Sequence, residues 1–264
     1  MTRPIVALLS DFGSRDHYSG AMKGVILGIC PDATLVDISH DIPPHDVMTA
    51  AFELAAAYQY FPSGSVFLVV VDPEVGSARR GLAVETGGYR FVAPDNGVLT
   101  LALQDGPPKG VVELTERRYA RPTVSRTFEG RDRFAPGAGW LAKGIQLSAL
   151  GRPVTDYRLL ELPVPESEGG RIIGQVLHVD RFGNLVTNID RQTFNRIAQA
   201  GTIQIEVGSH SIDRLVETYV DIGDEEVCAL FGSTDHLEFA AHSNSAVERL
   251  KLGRGASVVV SRGS

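Results

Sequence analysis

A chain of 264 residues with 43% hydrophobic content can bury a sizeable core and is longer than one average domain requires. Its 25 basic and 32 acidic side chains are mixed along the sequence, and the net charge of -7 leaves no basic stripe to track phosphates, which speaks against nucleic acid as a partner. Two cysteines, Cys30 and Cys228, lie far apart in apolar contexts and match no metal or redox spacing, so free buried thiols in a reducing cytoplasm are expected rather than a disulfide.

The opening Met1-Thr2-Arg3-Pro4 leads into an apolar stretch, residues 5–9, that is too short for a signal peptide and is predicted as the first strand. No later stretch approaches the length of a membrane span. The pattern then alternates. Helices are predicted over residues 18–29, 47–60 and 139–150, and strands over 34–38, 66–71, 81–86 and 89–93. Strands that read as unbroken apolar runs belong to a sheet covered on both faces. An α/β domain with a central, largely parallel sheet and flanking helices is therefore expected over residues 1–164. Around residues 159–170 the chain turns proline- and glycine-rich with scattered acids, and residues 165–170 are expected as a linker. Beyond it, strands predicted over 171–179, 202–207, 226–231, 237–241 and 256–260 make a smaller, mostly β domain over 171–264.

Chemistry gathers where strands end. Val71-Asp72-Pro73-Glu74-Val75-Gly76 closes the most apolar run in a carboxylate, a proline and a glycine, with Arg79 and Arg80 close behind. A buried strand that delivers an acid into a tight turn is how α/β enzymes place reactive groups at a strand's carboxyl end, which makes Asp72 the leading candidate. Ser10-Asp11-Phe12-Gly13 follows the first strand, and Asp16-His17-Tyr18 opens the next helix. A carboxylate there can accept two hydrogen bonds from a vicinal diol such as a ribose. The alternative is helix capping, which the spacing favours for Asp16 and leaves level for Asp11. Pro94-Asp95-Asn96-Gly97 reads as turn chemistry. In Phe128-Glu129-Gly130-Arg131-Asp132-Arg133-Phe134-Ala135-Pro136, ion pairs at a helix start account for Arg133, whereas Glu129 sits beside a glycine that admits a close ligand. In the β domain, a hairpin explains the glycine and asparagine of Asp180-Arg181-Phe182-Gly183-Asn184, but not the full polar set with Thr187 and Asn188.

Taken in order, Ser-Asp-Phe-Gly with Asp16-His17-Tyr18, Val-Asp-Pro with Arg79, Pro-Asp-Asn-Gly, Gly-Arg-Asp with Phe-Ala-Pro, and Phe-Gly-Asn resemble the S-adenosyl-L-methionine hydroxide adenosyltransferases. These are also called S-adenosylmethionine hydrolases and are related to the fluorinase and chlorinase. The resemblance runs from about Ile5 to the last strands. It implies a smaller, barrel-like C-terminal domain and a homotrimer with active sites between neighbouring subunits; the cysteines point to the cytoplasm, and with no metal-ligand cluster in the sequence neither metal nor cofactor is expected. The reaction it implies is attack of water or hydroxide on the ribose 5′ carbon, with methionine leaving as a neutral thioether and adenosine as the other product. A sulfonium needs no acid to leave, so catalysis is mostly positioning and proton removal.

Carried over by position, Asp11 would hold the ribose hydroxyls, Asp16 and Asp180 the methionine ammonium, Asn184 the adenine edge and Ser233 the methionine carboxylate, with Phe128 and Gly130 against the substrate. Asp72 and Arg79 match two members of a water-activating trio. Its third member is usually a histidine just before Gly130-Arg131-Asp132, where this chain has Glu129. An ionised carboxylate accepts hydrogen bonds but donates none, and it would repel Asp72 unless Arg79 lay between them. Lesser departures are Glu74 for glycine, Ser77 for threonine, and His45 where the halogenating relatives place an aromatic wall. Two alternatives stay open: a protein that binds S-adenosylmethionine or adenosine with little turnover, and a halide-dependent 5′-halogenase. The second is disfavoured because an anion would have to enter a pocket holding Asp72. Small molecules are the expected partners, with neither nucleic acid nor membrane.

Overall fold

The computed structural model describes residues 3–104, 106–198 and 202–263. Met1 and Thr2, the start of the segment read as too short for a signal peptide, lie outside them. The chain forms two compact units, Met1–Leu160 and Glu161–Ser264.

The first unit is built on a seven-stranded sheet: β1 (Ile5–Ser10), β2 (Thr34–Ser39), β3 (Val66–Val70), β4 (Gly81–Thr86), β5 (Tyr89–Pro94), β6 (Gly110–Leu114) and β7 (Gly151–Pro153). In space the order is β2-β1-β3-β5-β4-β6-β7. The β1–β2, β1–β3 and β3–β5 pairings are parallel, and the β4–β5, β4–β6 and β6–β7 pairings are antiparallel, so the sheet is mixed. Helices α1 (Tyr18–Ile29) and α3 (Ala135–Ala142) cover one face, where Val6, Leu8, Met22, Ile26, Leu68, Val70 and Phe134 pack together. Helix α2 (Val47–Tyr58) covers the other face with Ala7, Leu9, Leu54, Phe67, Val69 and Phe91. Alternate strand side chains point to opposite faces. Both faces are buried, which explains why β1 and β3 are apolar throughout.

The third helix departs from the sequence expectation of 139–150. It begins at Ala135, with Pro136 in its first turn where the missing N–H costs nothing, and stops before Gly144, whose φ of +98° ends the helical path. Leu147–Leu150 is a separate short 3₁₀ turn. Helix α2 ends at Tyr58 rather than 60, and its N-terminal turn is closed by Asp46, which accepts from the Thr49 N–H at 3.0 Å.

The second unit is an all-antiparallel, eight-stranded sheet, ordered β12-β11-β15-β9-β10-β14-β13 with β8 paired to β9. Its strands are β8 (Glu166–Glu168), β9 (Arg171–Val179), β10 (Leu185–Asp190), β11 (Ile203–Val207), β12 (His210–Ile212), β13 (Val227–Phe231), β14 (His236–Ala241) and β15 (Ser257–Arg262). The end strands β12 and β13 touch, so the sheet nearly closes into a barrel around Ile172, Val176, Leu185, Phe239 and Val258. The expected linker residues therefore include strand β8. Two helices, α4 (Arg191–Ala198) and α5 (Ala246–Leu250), were not legible from the residue pattern. Cys30 and Cys228 are both buried and free.

Candidate active site

Strand β3 alternates Val66, Leu68 and Val70 toward α1 and α3, and by the same parity Asp72 falls on that side as the strand ends. Asn96 fixes this strand end, because its side-chain N–H donates to the Val71 carbonyl at 2.8 Å while its Oδ1 accepts from Val98 N–H at 3.1 Å. The Pro94–Gly97 segment therefore does more than turn the chain. Asp95 is also buried, accepting from Arg80 Nε at 2.7 Å and from the Arg158 N–H at 2.8 Å.

Arg79 lies between two carboxylates. Its Nε donates to Asp72 Oδ1 at 2.9 Å, and its Nη2 donates to both Asp72 Oδ2 and Glu129 Oε2. Their side chains are only 1%, 5% and 12% exposed for Arg79, Asp72 and Glu129, so this ion group is held out of bulk water. Burial works against the Arg79 charge, but the hydrogen bonds and charges of Asp72 and Glu129 outweigh it and push the guanidinium pKa further up. The repulsion foreseen between the two acids is met by the cation between them. Arg79 also lies over the Phe134 ring, 5.0 Å from its centroid. Gly81 makes room for that ring, since a Cβ there would come within 2.4 Å of Phe134 Cε1.

Glu129 enters from the turn before α3. Residues Gly130–Phe134 form one wide helical turn with an i→i+5 hydrogen bond from Ala135 N–H to the Gly130 carbonyl, a geometry frequent at functional sites. Gly130 lets this turn sit on β3, because a Cβ would meet Met22 Sδ at 3.2 Å and Val70 Cγ1 at 3.3 Å. Asp132 anchors the same turn from beneath, accepting from Arg131 at 2.7 Å and from Ser125 N–H at 2.9 Å. Burial alone would raise its pKa, but Arg131, Ser125 and Arg121 hold it below the usual carboxylate range.

Asp72 and Glu129 line a cleft of about 290 Å³ together with Asp11, Phe12, Tyr18, His45, Phe128 and Gly130, and Arg79 lies behind the two acids. Phe12, Tyr18 and Phe128 form one aromatic wall, with Tyr18 and Phe128 edge to face at 5.0 Å. Asp11 is fixed by His45, whose N–H donates to Oδ2 at 2.9 Å from a left-handed backbone with φ of +68°. Helix α1 is capped by His17 without a side-chain bond, so the capping favoured for Asp16 from spacing does not occur. Asp16 is exposed and stands outside the lining. Two wider clefts of this unit, about 680 and about 560 Å³, hold no comparable meeting of acids on a buried arginine.

Behind Asp11 lies a chain that the residue pattern did not reveal. Ser10 Oγ meets His40 Nδ1 at 2.7 Å, His40 Nε2 meets Asp37 Oδ1 at 3.0 Å, and Lys23 pairs with Asp37 at 2.6 Å. The His40 carbonyl accepts from Gly13 N–H at 2.7 Å, so the chain ties down the whole Ser10–Gly13 loop. Ser10 is fully buried and serves as an anchor rather than a nucleophile. Its partners lie 30 positions away, beyond local pattern.

In the second unit, Asp180 closes the turn after β9. Its Oδ1 accepts from the N–H groups of Phe182 and Asn184 at 2.9 and 2.8 Å, and its Oδ2 accepts from Asn184 Nδ2 at 2.8 Å. Asn184 is buried, Ser233 is exposed on the turn between β13 and β14, and Phe182 is 77% exposed beside them. Buried Glu238 accepts from Tyr219 Oη, and its pKa is raised by burial and by the charge of Asp180. Among the described residues no group of His, Cys, Asp and Glu is arranged to hold a metal.

This geometry coincides with detectable relatedness along almost the whole chain. Residues 6–151 match the SAM hydroxide adenosyltransferase N-terminal domain, and residues 174–259 match the C-terminal domain. An (R)-S-adenosyl-L-methionine hydrolase from Thermus thermophilus is 37% identical, over 97% of this chain and 98% of that protein. A fluorinase from Actinoplanes is 28% identical over 98% of both chains. The crystal structure of an uncharacterized conserved protein from Thermotoga maritima superposes with a TM-score of 0.92 at 33% identity, covering 97% of this chain and 100% of that one. With both domain models matched in order and the acid-arginine-acid group assembled within the first of them, the chain belongs to the SAM hydroxide adenosyltransferase family.

Proposed function

We propose that this protein is an enzyme that hydrolyses S-adenosyl-L-methionine to adenosine and L-methionine. The observation that carries the reading is the Asp72–Arg79–Glu129 group, whose two acids stand in the wall of the aromatic-lined cleft. Water forms a bond to the ribose 5′ carbon as the carbon–sulfur bond breaks, and the bonding electrons leave with sulfur as a neutral thioether. Asp72 takes the proton that water sheds and passes it to solvent. Arg79 holds Asp72 in one orientation, so the step draws on pre-set geometry rather than on reorganisation. The substrate is a sulfonium cation, and a cleft edged by Asp11, Asp72 and Glu129 suits it better than a halide anion.

In this reading Asp11 holds the ribose hydroxyls, and Phe128 and Gly130 border the substrate. Asp16 and Asp180 take the methionine ammonium, Asn184 the adenine edge and Ser233 the methionine carboxylate. A cleft of about 290 Å³ lies just below the roughly 300–1,000 Å³ common for ligand sites. That accords with a homotrimer in which a neighbouring subunit completes each site. Free buried Cys30 and Cys228 accord with a cytoplasmic enzyme, and no described helix is long and apolar enough to cross a membrane. One observation favours a protein that binds without turnover: both Asp72 oxygens already accept from Arg79.

Incubation of the purified protein with S-adenosyl-L-methionine, with and without chloride, decides among these readings by chromatography. Equal amounts of adenosine and methionine, independent of chloride, uphold hydrolysis. Chloride-dependent 5′-chloroadenosine, or bound and unchanged ligand, overturns it.

A further inference from the structure

The ion group does not end at Glu129. Arg133 Nη1 donates to Glu129 Oε1 at 2.9 Å, and its Nη2 donates to the Leu114 carbonyl at 3.0 Å, at the end of β6. The two oxygens of Glu129 are thus divided between two cations, Arg79 on Oε2 and Arg133 on Oε1. Glutamate and arginine four residues apart on an exposed helix contribute little, but this glutamate is mostly buried and lines the cleft. Arg133 itself is outside the lining. Charge balance gives the pair its purpose. Asp72 and Glu129 both bond to Arg79 Nη2, and with that arginine alone two anions would compete for one cation. Arg133 neutralises the second anion through its other oxygen, so Arg79 keeps its Nε and a bond from its shared Nη2 on Asp72.

We propose that Arg133 is a positioning residue: it holds Glu129 in the cleft wall and thereby lets Arg79 keep Asp72 aimed at the attacking water. The proposal rests on the hydrolase reading given above. Arg133 touches no reacting atom and acts through Glu129, so its loss is felt in kcat and not in substrate capture.

Steady-state kinetics of Arg133→Met, Arg133→Gln and Arg133→Lys test it, with Glu129→Gln combined with Arg133→Met to close a double-mutant cycle. The neutral variants are expected to lower kcat roughly 10- to 100-fold with KM within about threefold, the signature of a misplaced catalytic group. Arg133→Lys, which keeps the charge, recovers most of the loss. In the Glu129→Gln background Arg133→Met adds little. If Arg133→Met does not fold, Arg133→Gln carries the comparison. Neutral variants within twofold of the parent kcat overturn the proposal, as do additive losses in the cycle or a lowered Tm with kcat unmoved. A parent protein that makes no adenosine overturns the hydrolase reading itself. The positioning is then read in a crystal structure of Arg133→Gln, where an Arg79–Asp72 contact unchanged from the parent overturns it and Arg79 drawn off Asp72 by Glu129 upholds it.

Discussion

Asp72 and Arg79 share a bidentate contact while Glu129 accepts from the same Nη2, so each member of the group depends on the others. Removing the cation leaves two carboxylates facing one another out of water. Arg79→Met is therefore expected to cost roughly 3–5 kcal/mol of stability, a loss that urea unfolding measures. Arg79→Lys is expected to recover only part of it, because an ammonium cannot reproduce the planar fork. Asp72→Asn keeps the shape and loses the proton acceptor. Product formation is expected to fall roughly 10²–10⁴-fold while adenosine binding, followed by calorimetry, changes little. Retained turnover would remove Asp72 from its role as base. Asp132 makes a prediction in pH. Its folded pKa is lowered, so between the folded and unfolded values the unfolded chain binds more protons and stability rises with pH. The contribution is complete above an unfolded value of about 3.9 and is lost as pH falls through the lower folded value. Urea midpoints of the parent and Asp132→Asn should therefore stay a constant distance apart above about pH 5 and converge on acidification.

At the scale of elements, the site rests on a strand end, a wide turn and a loop, each pinned by a contact from elsewhere in the chain. Asn96 pins the end of β3 through the Val71 carbonyl. Asn96→Ala is expected to cost about 1 kcal/mol by thermal unfolding and to lower kcat by more than that loss suggests, since Asp72 is the next residue. Phe134 supports Arg79 from below and is fully buried among Gly81 and the α1–α3 core. Phe134→Ala should destabilise by roughly 3–5 kcal/mol through the cavity it leaves, and Phe134→Leu by clearly less. If both variants unfold alike, packing is not what Phe134 provides. The mispositioned third helix has a local cause. Residues 145–150 are apolar enough to extend the pattern, but Gly144 in a left-handed conformation breaks the path, and the wide turn over Gly130–Phe134 starts the helix early.

For the whole molecule, the proposed trimer predicts a particle of about 85 kDa, three times the 28.4 kDa chain, in sedimentation equilibrium. A monomer with full activity would exclude completion of the site by a neighbour. The strand pattern and the division into an α/β and a β unit were legible in the sequence because side-chain period and turn residues are local properties of a chain. The pairing of Asp72 with Arg79 came from the ordered motifs. The ordered motifs likewise carried the family. Mixed strand direction was not legible, because the apolar runs of β1 and β3 look alike whichever neighbour they meet. The motifs placed Glu129 beside Arg79, 50 positions away, but its second bond, to Arg133, was not legible and forms only once the wide turn before α3 packs beside β3. The Ser10–His40–Asp37 chain and the Asn96 contact to Val71 belong to the same class. The sequence by itself determined which residues carry charge at the ends of buried strands. Tertiary structure decided which charges neutralise which, because ion pairing depends on distances that close only when remote elements pack and exclude water.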